Sequence, residues 1–403
     1  MSPPASAPVA SEPLASSSTA GSVASSARLD SVDLLRGVVM VLMALDHVRD
    51  YFTDVRFDVT NFAVTTAPLF LTRWVTHFCA PVFFFTAGIA AALSAARGKP
   101  RGALARFLLT RGLWLVFLEL TVIRFGWAFN LDYRITGAGV IWALGWSMVA
   151  LAGLIYLPRS VLACVGLGMI LGHNLLDGMG LQTRAPTLLG AGWQDWLWSI
   201  LHEPRPPIIY PLIPWIGVMS AGYSFGPLLR DAAWRRRWLP WLGVGLIAAF
   251  IVLRATNLYG EPRPWVAQQS TLFTALAFLD ATKYPPSLLY LLMTLGPALV
   301  ALALFERASG PVARFFITFG RVPMFYYILH LYLTHGLAVL AGVLTGFEPG
   351  PFLVMFFMFP EDYGFSLPVV YLAWAAVVLM LYPLCRWFAA LKARRKDAWL
   401  SYL

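Results

Sequence analysis

The stretch Arg28-Leu-Asp-Ser-Val-Asp33-Leu-Leu-Arg36-Gly37-Val-Val-Met40-Val-Leu-Met43-Ala-Leu-Asp46-His47 decides how this chain is read. It is an apolar helix that carries charges. At about 100° per residue, Asp33, Arg36, Met40, Met43 and His47 fall on one stripe. Arg36 and His47 then stand about 16 Å apart along the axis. Charged groups in a bilayer are costly, so they face a protein interior or water and mark a site. A cation near one end and an imidazole near the other read as one wall of a polar chamber inside a membrane.

Composition points the same way. Of 403 residues, 59% are hydrophobic and 12% are charged, against roughly 25% charged in soluble domains. The 16 Trp and 15 Tyr suit two interfacial aromatic belts. A net charge of +10 could signal nucleic acid. The basic residues cluster instead in short loops between apolar spans, which is a topology signal, and no nucleic-acid partner is expected. Cys79, Cys164 and Cys385 lie far apart in apolar stretches. They read as small buried residues, with no disulfide and no metal site.

Residues 1–27 are a Ser/Ala/Pro tail, expected to be disordered and lacking the pattern of a cleaved signal peptide. Hydropathy places spans at about 32–50, 68–95, 103–126, 138–157, 160–177, 206–229, 239–256, 287–305, 323–346 and 367–390. The expected fold is all-α: a polytopic transmembrane bundle of about ten helices over residues 28–395, followed by a short C-terminal end at 396–403. Loops 178–205 and 257–286 are expected to cap one face. Basic clusters lie around Arg97–Arg111, Arg230–Arg237, Arg307–Arg321 and Arg386–Lys396. All four fall on one side of such a bundle, which the positive-inside rule makes cytoplasmic, together with both termini. Arg36 then lies toward the cytoplasm and His47 toward the far side.

That orientation sorts the remaining polar residues. His77, Glu119, Arg124, His202, Arg205, Arg254, Lys283 and His335 belong to the far half, where such a set could line a cavity for a hydrophilic substrate; snorkelling at helix ends is the plainer alternative for the cations. Span nine opens Gly320-Arg321-Val-Pro323-Met-Phe-Tyr326-Tyr327-Ile-Leu-His330, with Thr334 one turn further. Tyr326, Tyr327 and Thr334 share the His330 face, and a hydroxyl beside an imidazole can fix its tautomer. Asp50 is three residues from His47 and shares its face, so it is the expected carboxylate partner.

The opening Arg28-x-x-Ser-Val-Asp33-Leu-Leu-Arg36-Gly37…Asp46-His47 resembles the first helix of integral-membrane acyltransferases. Two related groups share the pattern: the heparan-α-glucosaminide N-acetyltransferase family with its bacterial relatives, and the O-acyltransferases that modify bacterial surface polysaccharides. Gly320-Arg321-x-Pro323-x-x-Tyr326-Tyr327-x-x-His330 looks like their late helix. Arg73-Trp-x-x-His77-Phe-Cys-Ala-Pro81 and Lys283-Tyr-Pro-Pro-Ser287-Leu-Leu-Tyr290 look like the bacterial heparan-acetyltransferase-like branch.

The resemblance implies transfer of an acyl group, most simply acetyl from acetyl-CoA, to a sugar or similar hydroxyl or amine across a bacterial cytoplasmic membrane. On that reading Arg36, with Asp33, holds the acyl-CoA. His47 is the base, oriented by Asp50, and His330 helps bind the acceptor or the thioester carbonyl. His77, Glu119, Arg124, Lys283 and Tyr327 surround the carbohydrate acceptor. Assembly into a homo-oligomer stays open. Polar residues inside a ten-helix bundle also suit a transporter of a small polar solute. No phosphate-binding glycine loop, metalloprotease motif or serine-hydrolase elbow offers a rival.

Overall fold

The computed structural model describes residues 29–179, 187–188, 190–395 and 397–402. The tail expected to be disordered lies outside the described residues. Helices and turns make up the described chain, with no sheet. In chain order the α-helices are α1 (Asp30–Phe52), α2 (Ala67–Thr76), α3 (Cys79–Ala96), α4 (Arg101–Leu118), α5 (Arg124–Ala128), α6 (Val140–Leu154), α7 (Arg159–Gly172), α8 (Trp193–Leu201), α9 (Leu212–Phe225), α10 (Ala232–Thr256), α11 (Thr271–Leu279), α12 (Leu288–Phe305), α13 (Pro311–Arg321), α14 (Pro323–Leu344) and α15 (Leu367–Arg394).

Among the described residues, seven segments are long and apolar enough to cross a membrane: Ala67–Ala96, Arg159–Leu176, Leu212–Arg230, Ala232–Thr256, Leu288–Phe305, Pro323–Leu344 and Leu367–Arg394. Each coincides with an expected span. The other three expected spans are helical too, and each has a reason to fall short of that standard. α1 carries charges at both ends. α4 opens on a basic turn and reaches Ala128 only through a π-helical turn, Glu119–Ile123, and α5. α6 is only 15 residues long.

α1 is the axis of the bundle. It packs against α2, α3, α12, α13, α14 and α15, and most of its residues are buried. Acidic Asp30 and Asp33 in its first turn and Arg49 in its last turn match the helix dipole. Its crossing with α13 depends on two glycines. A Cβ on Gly37 would stand 1.8 Å from the Phe316 carbonyl oxygen, and one on Gly320 would stand 1.9 Å from that of Asp33. Only glycine lets the two backbones meet this closely, which is how small residues join helices in membranes. The crossing carries Arg36 and Arg321 to one place.

A second local device shapes the joint between α2 and α3. The chain turns at His77 and Phe78, so the span expected over 68–95 is broken near its middle. Pro81 lies in the first turn of α3, where a missing N–H costs little. That N–H would otherwise serve the carbonyl of residue 77. The Tyr290 hydroxyl donates to the His77 carbonyl instead, at 2.7 Å. The His77 ring is thereby fixed against Tyr290, with ring centroids 5.5 Å apart.

The longer loop 257–286 is knit internally and to the end of α10. Arg254, which is 1% exposed, donates to the carbonyls of Phe278, Ala277 and Arg263. Glu261 accepts from Thr282 N at 2.9 Å and Ser287 Oγ at 2.7 Å. The C-terminal end folds back on α4: Leu400 is buried, and the Tyr402 hydroxyl lies 2.8 Å from Thr110 Oγ1. Cys164 is exposed on α7, unlike Cys79 and Cys385, so the expectation of three buried cysteines is corrected there.

Candidate active site

Two histidines from distant parts of the sequence meet at the centre. His47 Nδ1 and His330 Nε2 are 2.7 Å apart, and the rings are nearly parallel, with centroids 4.9 Å apart. His330 Nδ1 lies 3.0 Å from the Tyr326 carbonyl. A carbonyl only accepts, so this nitrogen carries the hydrogen. In the neutral ring Nε2 then accepts, and the hydrogen between the rings is donated by His47 Nδ1. This leaves the lone pair on His47 Nε2, where a base would use it. Among the described residues no hydrogen bond reaches that nitrogen.

Aromatic walls hold the pair. Trp127 is edge-on to His47 with centroids 4.8 Å apart, and Tyr327 is edge-on at 5.9 Å. The Tyr51 hydroxyl donates to the Trp127 carbonyl at 2.8 Å and so places that indole.

A cavity of about 320 Å³, within the range of small-molecule sites, reaches Tyr327, which is edge-on to both His47 and His330. Arg36, Arg97, Arg111, Arg321 and Lys392 line one part of it. Met40, Leu115, Met148 and Tyr327 line another. Met40 is about one turn beyond Arg36 toward His47, and Tyr327 lies about one turn before His330. The cations therefore stand at the end away from the histidines, and apolar walls run between. Asp33, 4% exposed, lies 3.6 Å from Arg36 and 3.8 Å from Arg321. Arg36 also donates to the Gly320 carbonyl at 3.3 Å.

A cluster of charges surrounds the residue before His47. Asp46 lies 2.7 Å from Arg49, 2.9 Å from Thr76 Oγ1 and 3.8 Å from Lys283. Lys283, Arg73 and His77 line a second cavity of about 360 Å³ together with Asp58, Thr60 and Arg263. The sequence-expected residues His77 and Lys283 are thus brought together, on the opposite side of the His47 turn from the cation-rich end.

Several expected roles are redistributed. Asp50 bonds Arg49 at 2.8 Å, so the partner of His47 is His330 and not a carboxylate. His330 has both nitrogens engaged, which removes it as a direct ligand of acceptor or thioester. Its tautomer is set by the Tyr326 carbonyl, whereas the hydroxyls of Tyr326 and Thr334 are buried without partners. Glu119 accepts from Ile141 N at 3.1 Å and caps the start of α6. Arg124 donates to the Asn130 carbonyl and Oδ1, both at 3.1 Å, and staples the loop after α5. His335 lies between the carbonyls of Gly126 at 2.9 Å and Phe352 at 2.7 Å. His202 pairs with Asp177 at 2.9 Å, away from either cavity. Among the described residues no group of three or more His, Cys, Asp or Glu could hold a metal ion.

Two features escaped sequence reasoning. Arg97, Arg111 and Lys392 read as topology signals, yet they line the cavity. Trp127 had no motif at all. Its signal was available only as an aromatic at the end of a span, which is common to belt residues.

A family model for the catalytic region of heparan-alpha-glucosaminide N-acetyltransferase matches residues 28–260. The match takes in Arg36, His47, His77 and the α4 wall of the first cavity, and it ends before Lys283, Tyr327 and His330. No curated protein matches the chain. With more than half of its length matched, on an all-helical bundle with several membrane-crossing helices, the chain is a multi-pass membrane protein of the heparan-alpha-glucosaminide N-acetyltransferase catalytic family.

Proposed function

We propose that this protein transfers an acetyl group from cytoplasmic acetyl-CoA to a hydroxyl or amine of a sugar on the far side of a bacterial cytoplasmic membrane. The observation that carries the reading is the His47–His330 pair packed against Tyr327, a wall residue of a cavity lined by five cations. The five cations suit the phosphates of CoA, and guanidinium groups match phosphate oxygens in pairs. The apolar walls beyond them suit the pantetheine arm and bring the thioester toward Tyr327.

His47 Nε2 takes the proton from the acceptor O–H or N–H as that atom attacks the thioester carbonyl. The C–S bond breaks, and the CoA thiolate leaves with the proton that His47 returns. His330, bonded to His47 Nδ1, orients the ring and shares the charge that forms on it. The Tyr326 carbonyl holds His330 in the tautomer this requires. Acetyl acceptor and CoA thiol are the products, with no redox step. On this reading Tyr327 stands between donor and acceptor, and Asp33 orients Arg36 and Arg321 rather than touching CoA.

Proteoliposomes containing the full chain test the reading. Acetyl-CoA labelled in its acetyl group and supplied on the face bearing the basic loops should label glucosamine or another amino or hydroxylated sugar on the other face. Uptake of a solute with no acetyl transfer to any sugar overturns the reading in favour of a transporter. Sidedness has its own check. Reporter fusions after residues 100, 234 and 395 should report cytoplasm, and one after residue 355 should report the outside; a cytoplasmic signal at 355 overturns the orientation.

A further inference from the structure

The basic cluster at Arg230–Arg237 lines neither cavity. Its place in the fold is electrostatically costly. Arg235, Arg236 and Arg237 fall near the start of α10, whose first turn holds no acid. A helix N-terminus carries partial positive charge, so cations there are repelled by it and by one another. Asp231 caps the helix, accepting from Ala233 N at 2.8 Å and Trp234 N at 3.2 Å. α1 opens the other way, on Asp30 and Asp33.

One of the three arginines is used internally. The Arg235 guanidinium donates to the Glu306 carboxylate and to the Leu229 carbonyl. These bonds tie the start of α10 to the end of α12. They also bring Arg230 and Arg307, the residues after Leu229 and Glu306, to the same corner. Arg230, Arg236, Arg237 and Arg307 are all exposed. With Arg235 they outnumber the carboxylates of Asp231 and Glu306 at this corner.

The surface turns apolar directly beyond the cations. The Arg237 guanidinium lies over the Trp238 ring, 5.1 Å from its centroid. Trp238 and Trp241 are 50% and 69% exposed. Leu242, Val244, Ile251 and Val252 continue the exposed face along a helix long and apolar enough to cross a membrane. Exposed Trp between cations and aliphatic side chains marks the headgroup level of a bilayer. The guanidiniums therefore stand where lipid phosphates lie.

We propose that the α10–α12 corner binds an anionic phospholipid and prefers one with two phosphodiesters. Arg236, Arg237 and Arg307 take the phosphate oxygens, which guanidinium groups match in pairs. Trp238 and Trp241 flank the glycerol, and the acyl chains run along the exposed apolar face of α10. A zwitterionic lipid carries its own cation beside the phosphate and leaves the excess charge unmatched. The assignment stands apart from the acetyltransfer reading, because no residue of either cavity enters it.

Native mass spectrometry of the purified full chain, with lipid added to the detergent at matched concentrations, tests this. The probes are cardiolipin, phosphatidylglycerol and phosphatidylcholine. Cardiolipin should bind about tenfold more tightly than phosphatidylcholine, with phosphatidylglycerol between them, as basic residues near a lipid surface require. Arg236→Gln combined with Arg237→Gln should remove most of that preference. Arg101→Gln combined with Arg106→Gln, an equal loss of charge from exposed cations of α4, should keep it. Arg307→Gln should weaken it as well, and lies on a different segment, so it stays readable if the α10 pair folds poorly. Equal binding of the three lipids, or the same loss from the α4 pair, overturns the proposal. Displacement of the lipid by excess inorganic phosphate also overturns it, in favour of a site for a free anion.

Discussion

The two ends of α1 carry the same kinds of side chain and put them to opposite uses. Near its start, Asp33 stands 3.6 Å from Arg36 and 3.8 Å from Arg321, and both guanidiniums face a cavity with three further cations. Near its end, Asp46 and Asp50 close on Arg49 at 2.7 and 2.8 Å, while Thr76 ties Asp46 to α2 and Lys283 ties it to the loop before α12. The first arrangement keeps positive charge available on a cavity wall. The second neutralises charge and locks the turn that carries His47. An excess of like charge gathers at one end, where an anion can enter, and is cancelled at the other, where a ring must keep its orientation.

The largest effect should come from the locked end. His47→Ala is expected to lower turnover by about 10²–10⁴-fold, the usual contribution of a positioned proton-transfer group. Acetyl-CoA affinity should change little, because such a group acts mainly in the transition state. His47→Gln should not rescue, since an amide cannot take the proton. His330→Ala should reproduce part of the loss without changing acetyl-CoA affinity. Single-turnover acetylation alongside equilibrium binding checks both. A His47→Ala variant that keeps more than a tenth of wild-type turnover would break the contrast.

Next comes the crossing that joins the cation-rich end to α13. Gly37→Ala or Gly320→Ala must push two backbones apart and should cost about 1–3 kcal/mol. Gly153→Ala in α6, where an added Cβ meets nothing within 4 Å, is the matched control. Thermal unfolding in detergent should separate the first two from the third.

A smaller effect is expected at the cation-rich end itself. Arg36→Ala should weaken acetyl-CoA binding by about tenfold, near 1.4 kcal/mol. Raising salt should narrow the difference, since salt screens the attraction between the cavity cations and the CoA phosphates. An unchanged dissociation constant would make the Arg36–Asp33 pair purely structural.

The smallest effect tests a residue outside the contrast. Glu119→Gln keeps an acceptor for Ile141 N–H and should leave turnover and acceptor KM nearly unchanged. Glu119→Ala should cost about 0.5–2 kcal/mol of stability, as loss of a helix cap does, without a selective rise in acceptor KM. A selective rise in KM would return Glu119 to the acceptor site.

Much of this was legible beforehand, for a physical reason. A bilayer-crossing helix is long, apolar and satisfies its own backbone, so each span leaves a signature in local sequence. The charged stripe on α1 was visible because helical periodicity converts spacing into a shared face. A shared face names no neighbour, however. Asp50 and His47 share one, yet Asp50 turns to the adjacent Arg49. Glu119 read as part of the acceptor site because the Ile141 N–H it serves belongs to another helix. The hydroxyls of Tyr326 and Thr334 looked suited to orient His330, and the nearer main-chain carbonyl does it.

Sequence alone determined the all-helical membrane architecture, the placement of the spans and the identity of the polar residues inside them, because all three follow from local hydropathy and helical spacing. Tertiary structure alone decided which of those residues work together. His47 and His330 are 283 positions apart, and the five cations of the first cavity come from α1, the turn after α3, α4, α13 and α15. The packing of α1 against α13, α14 and α15, including its close crossing with α13 at Gly37 and Gly320, brings such groups together, and no single helix specifies it.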